Sequence, residues 1–65
     1  MADAIKVYDE RGRIKWQPEA ACGLRQYRRG EKKLTWARPD NNGLVPKTYN
    51  TWGHAHTQAV KWEDA

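Results

Sequence analysis

Apolar and polar residues alternate along Ala4–Tyr8, with Ile5 and Val7 on one side and Lys6 and Tyr8 on the other. That period of two predicts a strand. Asp9-Glu10-Arg11-Gly12 is polar and ends in glycine, which marks a turn. Alternation resumes over Arg13–Trp16, where Ile14 and Trp16 share a face, so residues 4–16 read as a β-hairpin. Pro18 lacks an N–H and is expected to stop the pairing, leaving 17–23 as a loop or a short helical turn. Leu24–Arg29 and Lys32–Arg38 flank Gly30-Glu31. Glycine at the first central position suits a two-residue type II′ turn. Pairing Arg29 with Lys32 then sets Tyr27 opposite Leu34 and Arg25 opposite Trp36. Tyr27, Leu34 and Trp36 share one face, and Gln26, Arg28, Lys33 and Thr35 the other. A four-residue loop keeps the same faces, because the parity is unchanged.

Pro39-Asp40-Asn41-Asn42-Gly43 is a turn cluster. Leu44–Tyr49 follows as a third strand that Pro46 confines to an edge or a strand start. Thr51 is placed as a helix N-cap. After it Trp52, Ala55, His56, Ala59 and Trp62 recur at helical spacing, predicting a helix over 52–62. Gly53 weakens that helix, and Glu63 and Asp64 are unfavourable at its C-terminus, so its end is expected to fray. The expected class is α+β: a small antiparallel sheet of two hairpins, about three to five strands, against one C-terminal helix. The three-stranded part spans 24–49. The helix is expected to lay Trp52, Ala55, Ala59 and Trp62 on the sheet face carrying Tyr27, Leu34 and Trp36.

At 65 residues there is room for one domain with a thin core. Only 38% of residues are hydrophobic and Phe is absent, so the core is expected to lean on Trp16, Trp36, Trp52 and Trp62, helped by Tyr8, Tyr27 and Tyr49. Cys22 is the only cysteine, which excludes an internal disulfide. The N-terminal residues have no basic stretch followed by an apolar run, and no segment has the length of a membrane span. A cytoplasmic protein without a membrane partner is expected.

Charge changes the picture most. Twelve Lys and Arg against eight Asp and Glu give +4. The sequence pI of 9.5 is in the range where a nucleic-acid footprint is considered. Within Leu24–Arg38, six cations (Arg25, Arg28, Arg29, Lys32, Lys33 and Arg38) face one carboxylate, Glu31, so this ribbon carries +5 and the rest of the chain −1. Clustered cations neutralise phosphates and release counterions. A two-stranded ribbon fits the major groove of DNA, where an Arg such as Arg28 pairs with guanine through two hydrogen bonds. The same cluster also suits a solvated hairpin tip that protects an edge from aggregation.

Other chemistry finds little footing. His54, His56 and Cys22 are three candidate metal ligands without a second close pair, and the two histidines diverge on a helix, so no metal is expected. Nothing local activates Cys22 as a nucleophile, and Asp9, Glu10, Glu63 and Asp64 sit in a turn or at a terminus. There is no Gly-rich phosphate loop. The reading is a binding module and not an enzyme, with no cofactor and no small-molecule substrate.

Four segments, Trp36-Ala37-Arg38, Asp40-Asn41-Asn42-Gly43, Lys47-Thr48-Tyr49-Asn50-Thr51 and the helical Ala55, Ala59 and Trp62, follow one another in a family-like order. This resembles the amino-terminal arm-binding domains of phage-type tyrosine recombinases and the related plant ethylene-response-type DNA-binding domains. The resemblance implies a three-stranded sheet backed by a helix, with the sheet in the major groove. Arg25, Arg28, Lys33 and Thr35 would face the groove, and Lys47 would contact phosphate. It implies an accessory module of a phage or mobile element. His54 and His56 depart from the family's usual Glu or Lys, and the N-terminal hairpin lies outside the pattern. The full candidate set is Arg25, Arg28, Arg29, Lys32, Lys33, Thr35, Arg38 and Lys47, with duplex DNA as the favoured partner. The alternative is a protein-interaction module, a small inhibitor or adaptor that binds a host protein through its Arg and aromatic surface. RNA binding would need Tyr8, Tyr27 or Trp36 exposed for stacking.

Overall fold

The computed structural model describes residues 1–39 and 43–64. Its elements are β1 (Asp3–Tyr8), β2 (Ile14–Glu19), β3 (Arg25–Arg29), β4 (Lys33–Ala37), β5 (Val45–Pro46) and α1 (Trp52–Asp64). The strands form one antiparallel sheet in the order β1-β2-β3-β4, with β5 also against β3. The α+β class expected from the alternation is the observed one. Asp40, Asn41 and Asn42 of the expected turn lie outside the described residues.

The first hairpin pairs Ala4 with Pro18, Lys6 with Trp16 and Tyr8 with Ile14. Its loop is closed by Asp9. The Asp9 amide donates to the Arg13 carbonyl (3.0 Å), and its carboxylate accepts the amides of Arg11 (2.9 Å) and Arg13 (2.8 Å). Gly12 supplies the left-handed backbone, with φ +77°. The hydrogen bond from the Arg13 amide, with help from the Arg11 amide and the charges of Lys15 and Arg13, holds the Asp9 carboxyl below its ordinary 3.8. Because the folded pKa lies below the unfolded one, Asp9 supports the fold fully above the ordinary carboxylate range. That support is lost as pH falls through the depressed pKa. Acid titration should therefore destabilise the wild type more than Asp9→Asn across this window. Equal pH profiles in thermal unfolding would refute it.

Pro18 does not end β2; it sits inside the strand, opposite Ala4. Trp16 and Ala20 aim their amides away from β1, at the carbonyls of Tyr49 (2.9 Å) and Leu24 (2.8 Å). By alternation Pro18 faces the same way, so its missing N–H costs no bond to β1. One step along the Glu19↔Arg25 register, Pro18 lies across from Gln26, whose carbonyl it cannot serve. That carbonyl accepts from Gln17 Nε2 (2.7 Å) and the Lys47 amide (3.1 Å) instead. Gln26 Oε1 accepts the Tyr49 hydroxyl at 2.9 Å. Gln17 and Gln26 are both buried, and no buried side-chain polar atom among the described residues lacks a partner. Burial pushes the Tyr49 hydroxyl above its ordinary 10.0.

The second hairpin departs from the expected register. Arg29 pairs with Lys33, not Lys32, and Arg28 with Leu34, Tyr27 with Thr35 and Gln26 with Trp36. The loop is the three residues Gly30, Glu31 and Lys32, entered through Gly30 at φ +80°. An odd loop length reverses parity, so one strand's side chains change faces relative to the other's. Gln26, Arg28, Leu34 and Trp36 now share a face, opposite Arg25, Tyr27, Arg29, Lys33, Thr35 and Ala37. Tertiary packing rewards this register. It buries Tyr27 while turning Trp36 toward α1, where its ring stacks on Trp62 with centroids 4.9 Å apart.

Ala4, Pro18, Gln26 and Trp36 thus form a row across one face of the sheet. Helix α1 packs on β1 and β2, not chiefly on the second hairpin as expected. Ala55 and Ala59 are fully buried there, and Ala4 and Pro18 are buried as well. Small side chains on both surfaces let the helix axis approach closely. The core is accordingly built from alanines, Pro18, Tyr27 and two glutamines. The expected indole core is not observed: Trp52, Trp62 and Tyr8 are exposed, and Trp16 and Trp36 half-buried. Thr51 caps α1 as expected, its hydroxyl accepting the His54 amide at 3.2 Å. The C-terminus is helical through Asp64, because Glu63 Oε1 accepts the Ala21 amide at 2.7 Å.

Candidate nucleic-acid interface

Positions on β3 and β4 decide where the ribbon's cations point. Arg29 and Lys33 are cross-strand partners, and Thr35 lies two residues further along the same face. Lys32 stands in the tip loop, and Arg38 follows the end of β4. All four cations are exposed and make no ion pair among the described residues. Thr35 is half-buried. Glu31, the ribbon's one carboxylate, is exposed in the same loop.

Arg25, Arg28 and Lys47 are placed differently from the expected groove-facing set. Arg25 Nε is 3.0 Å from Glu19 Oε2, in a half-buried pair that ties the two hairpins together. Its charge is met within the chain. Arg28 points to the other side of the ribbon, with Leu34 and Val45 as its cross-strand partners. Lys47 Nζ lies 4.8 Å from the centre of the Tyr49 ring, a cation–π contact. The structure therefore gathers Arg29, Lys32 and Lys33 at the ribbon tip, with Arg38 at its base, and separates the other three.

Four apolar side chains are exposed: Tyr8 (65% exposed), as RNA stacking would require, Ile14 (47%), Leu34 (51%), expected under the helix, and Val45 (56%). Register places all four on the face that carries Arg28. Tyr8, Arg28 and Val45 line one open depression of about 460 Å³, together with Asp9, Glu10 and Arg11. The signal that would have found them is distance from the helix. A helix of 13 residues spans about 20 Å, and it covers the end of the sheet away from both hairpin tips.

Both histidines lie against aromatic rings. His54 is tilted against Tyr49 with ring centroids 4.6 Å apart, and His56 stacks nearly parallel on Trp52 at 4.5 Å. Cys22 is exposed in the turn between β2 and β3. Among the described residues no three His, Cys, Asp or Glu side chains converge as a metal site. No helix is long and apolar enough to cross a membrane. No protein-family model, curated protein or solved structure matches the chain.

Proposed function

We propose that this protein is a small accessory module that binds duplex DNA through the tip and one face of the β3–β4 ribbon. The observation that carries this reading is that Arg29, Lys32, Lys33 and Arg38 are exposed and make no ion pair among the described residues. A cation already matched by a carboxylate has little to gain from a phosphate, as with Arg25. The four others keep their full electrostatic attraction for a polyanion. Arg29 and Lys33 contact phosphates beside Thr35, Lys32 meets them at the tip, and Arg38 anchors the base of the ribbon. Phosphate contacts of this kind position a protein on DNA without reading its sequence. The resemblance of the Trp36–Trp62 segments to recombinase arm-binding domains favours a duplex as ligand, while the packing of α1 on β1 and β2 departs from the arrangement that the resemblance implies. The action is binding, not catalysis, and an exposed unpaired Cys22 suits the reducing cytoplasm.

Fluorescence anisotropy with a long mixed-sequence duplex at low salt tests the reading. Saturable binding is expected. Absence of binding under those conditions refutes it.

A further inference from the structure

The side of the sheet that carries Arg28 is built for a different ligand. Helix α1 covers the part of this face around Ala4, Pro18, Gln26 and Trp36. The part toward the hairpin tips is bare and consists of Tyr8, Ile14, Val45, Arg28 and Leu34. A contiguous exposed apolar patch marks an interaction site. Three of its four apolar members are aliphatic, which favours protein side chains over stacked bases, since bases prefer aromatic platforms.

Arg28 fixes the chemistry of the partner. Its cross-strand neighbours are Leu34 and Val45, and no carboxylate pairs with it among the described residues. Two of the chain's own carboxylates, Asp9 and Glu10, line the same depression: Asp9 is held by the amides of Arg11 and Arg13, and Glu10, exposed in the turn, makes no ion pair with Arg28. Any surface that covers the row also removes Arg28 from water. A buried guanidinium without a counter-charge is strongly unfavourable, and since neither Asp9 nor Glu10 is paired with it, a covering surface that brings an anion to it is favoured. A carboxylate receives a guanidinium through two parallel hydrogen bonds.

We infer that the Tyr8–Ile14–Val45–Arg28–Leu34 face docks a segment of a partner protein in which a carboxylate is flanked by apolar side chains. With the cationic face turned the other way, the two sides of one ribbon serve two ligands, and the protein acts as an adaptor. This docking does not depend on the duplex reading.

The test is methyl and arginine-side-chain NMR of the full chain, titrated separately with four probes. These are a short peptide alternating Leu, Phe and Glu, its counterpart with Gln for Glu, oligothymidine, and a mixed-sequence duplex. The acidic peptide should move the methyl signals of Ile14, Leu34 and Val45 and the Arg28 Nε–H. It should bind about ten- to hundredfold more tightly than the Gln peptide, the worth of charge-assisted hydrogen bonds. Arg28→Glu should reverse the preference toward a Leu/Phe/Lys peptide. Equal response to the Glu and Gln peptides, no methyl response to either, or stronger movement of the same methyls by oligothymidine overturns the inference. The duplex should instead move Arg29, Lys33 and Thr35, and its failure to do so counts against the duplex reading alone.

Discussion

Alanine at Arg29, Lys32, Lys33 and Arg38 together should lower affinity for a mixed-sequence duplex by about three to four orders of magnitude at about 0.1 M salt, because a slope of about 0.9 per phosphate contact makes each worth nearly tenfold there relative to about 1 M salt. The fold should survive. All four side chains are exposed and have no hydrogen bond or ion pair among the described residues, and such surface changes usually shift stability by no more than about 0.5 kcal/mol. Arg25→Ala is the matched control. It removes a cation from the same ribbon, but one paired with Glu19 at 3.0 Å. Its main effect should be on stability, up to about 1 kcal/mol for a partly exposed pair, with a smaller change in DNA affinity. Anisotropy and thermal unfolding of both variants check this. A quadruple variant that binds as tightly as wild type removes the ribbon from the account.

Ala59→Leu should be the most damaging single conservative change, costing about 1–3 kcal/mol through overpacking. Ala59 is fully buried where α1 meets β1 and β2, over a surface that includes buried Ala4 and Pro18. The close approach of helix to sheet leaves no room for three extra carbons. A core this small supplies only about 3–5 kcal/mol in total. The melting temperature should fall by about 4–8 °C for each kcal/mol lost. Trp52→Ala, a far larger change in volume, should cost much less, since Trp52 is exposed and stacks only on half-buried His56. The reverse ranking in thermal unfolding would mean that the indoles, not the alanines, form the core.

Those two substitutions mark where the sequence is legible and where it is not. Strand positions follow from local alternation, and the helix start follows from Thr51, because both signals act within a few residues. The side to which each ribbon residue points depends on one loop residue. Gly30-Glu31 has the chemistry of a two-residue turn, yet Lys32 joins the loop and reverses parity. Only the distant contact between Trp36 and Trp62 reveals that choice. Pro18 misleads for a similar reason. Its missing N–H matters only if it faces a partner strand, and here Gln17 and Lys47 serve the carbonyl it cannot reach. Burial is the least legible level. The helical stripe places Ala55 and Ala59 against the sheet, as observed, whereas size and apolarity point to tryptophans that the structure leaves exposed or half-buried.

The candidate site divides along the same line. That Arg28, Arg29, Lys32, Lys33 and Arg38 are exposed follows from charge alone, since solvation keeps such groups at the surface. That Arg25 is matched by Glu19 follows only from the meeting of β2 with β3. That Arg28 joins Tyr8, Ile14, Leu34 and Val45 follows only from the odd loop and the placing of β5 against β3.

Duplex affinity of the wild type, measured across a salt series, bears on phosphate binding by the ribbon more directly than any variant. Four phosphate contacts predict a line of log K against log salt with a slope of about −3 to −4. A slope near zero, or no binding even at the lowest salt, contradicts it.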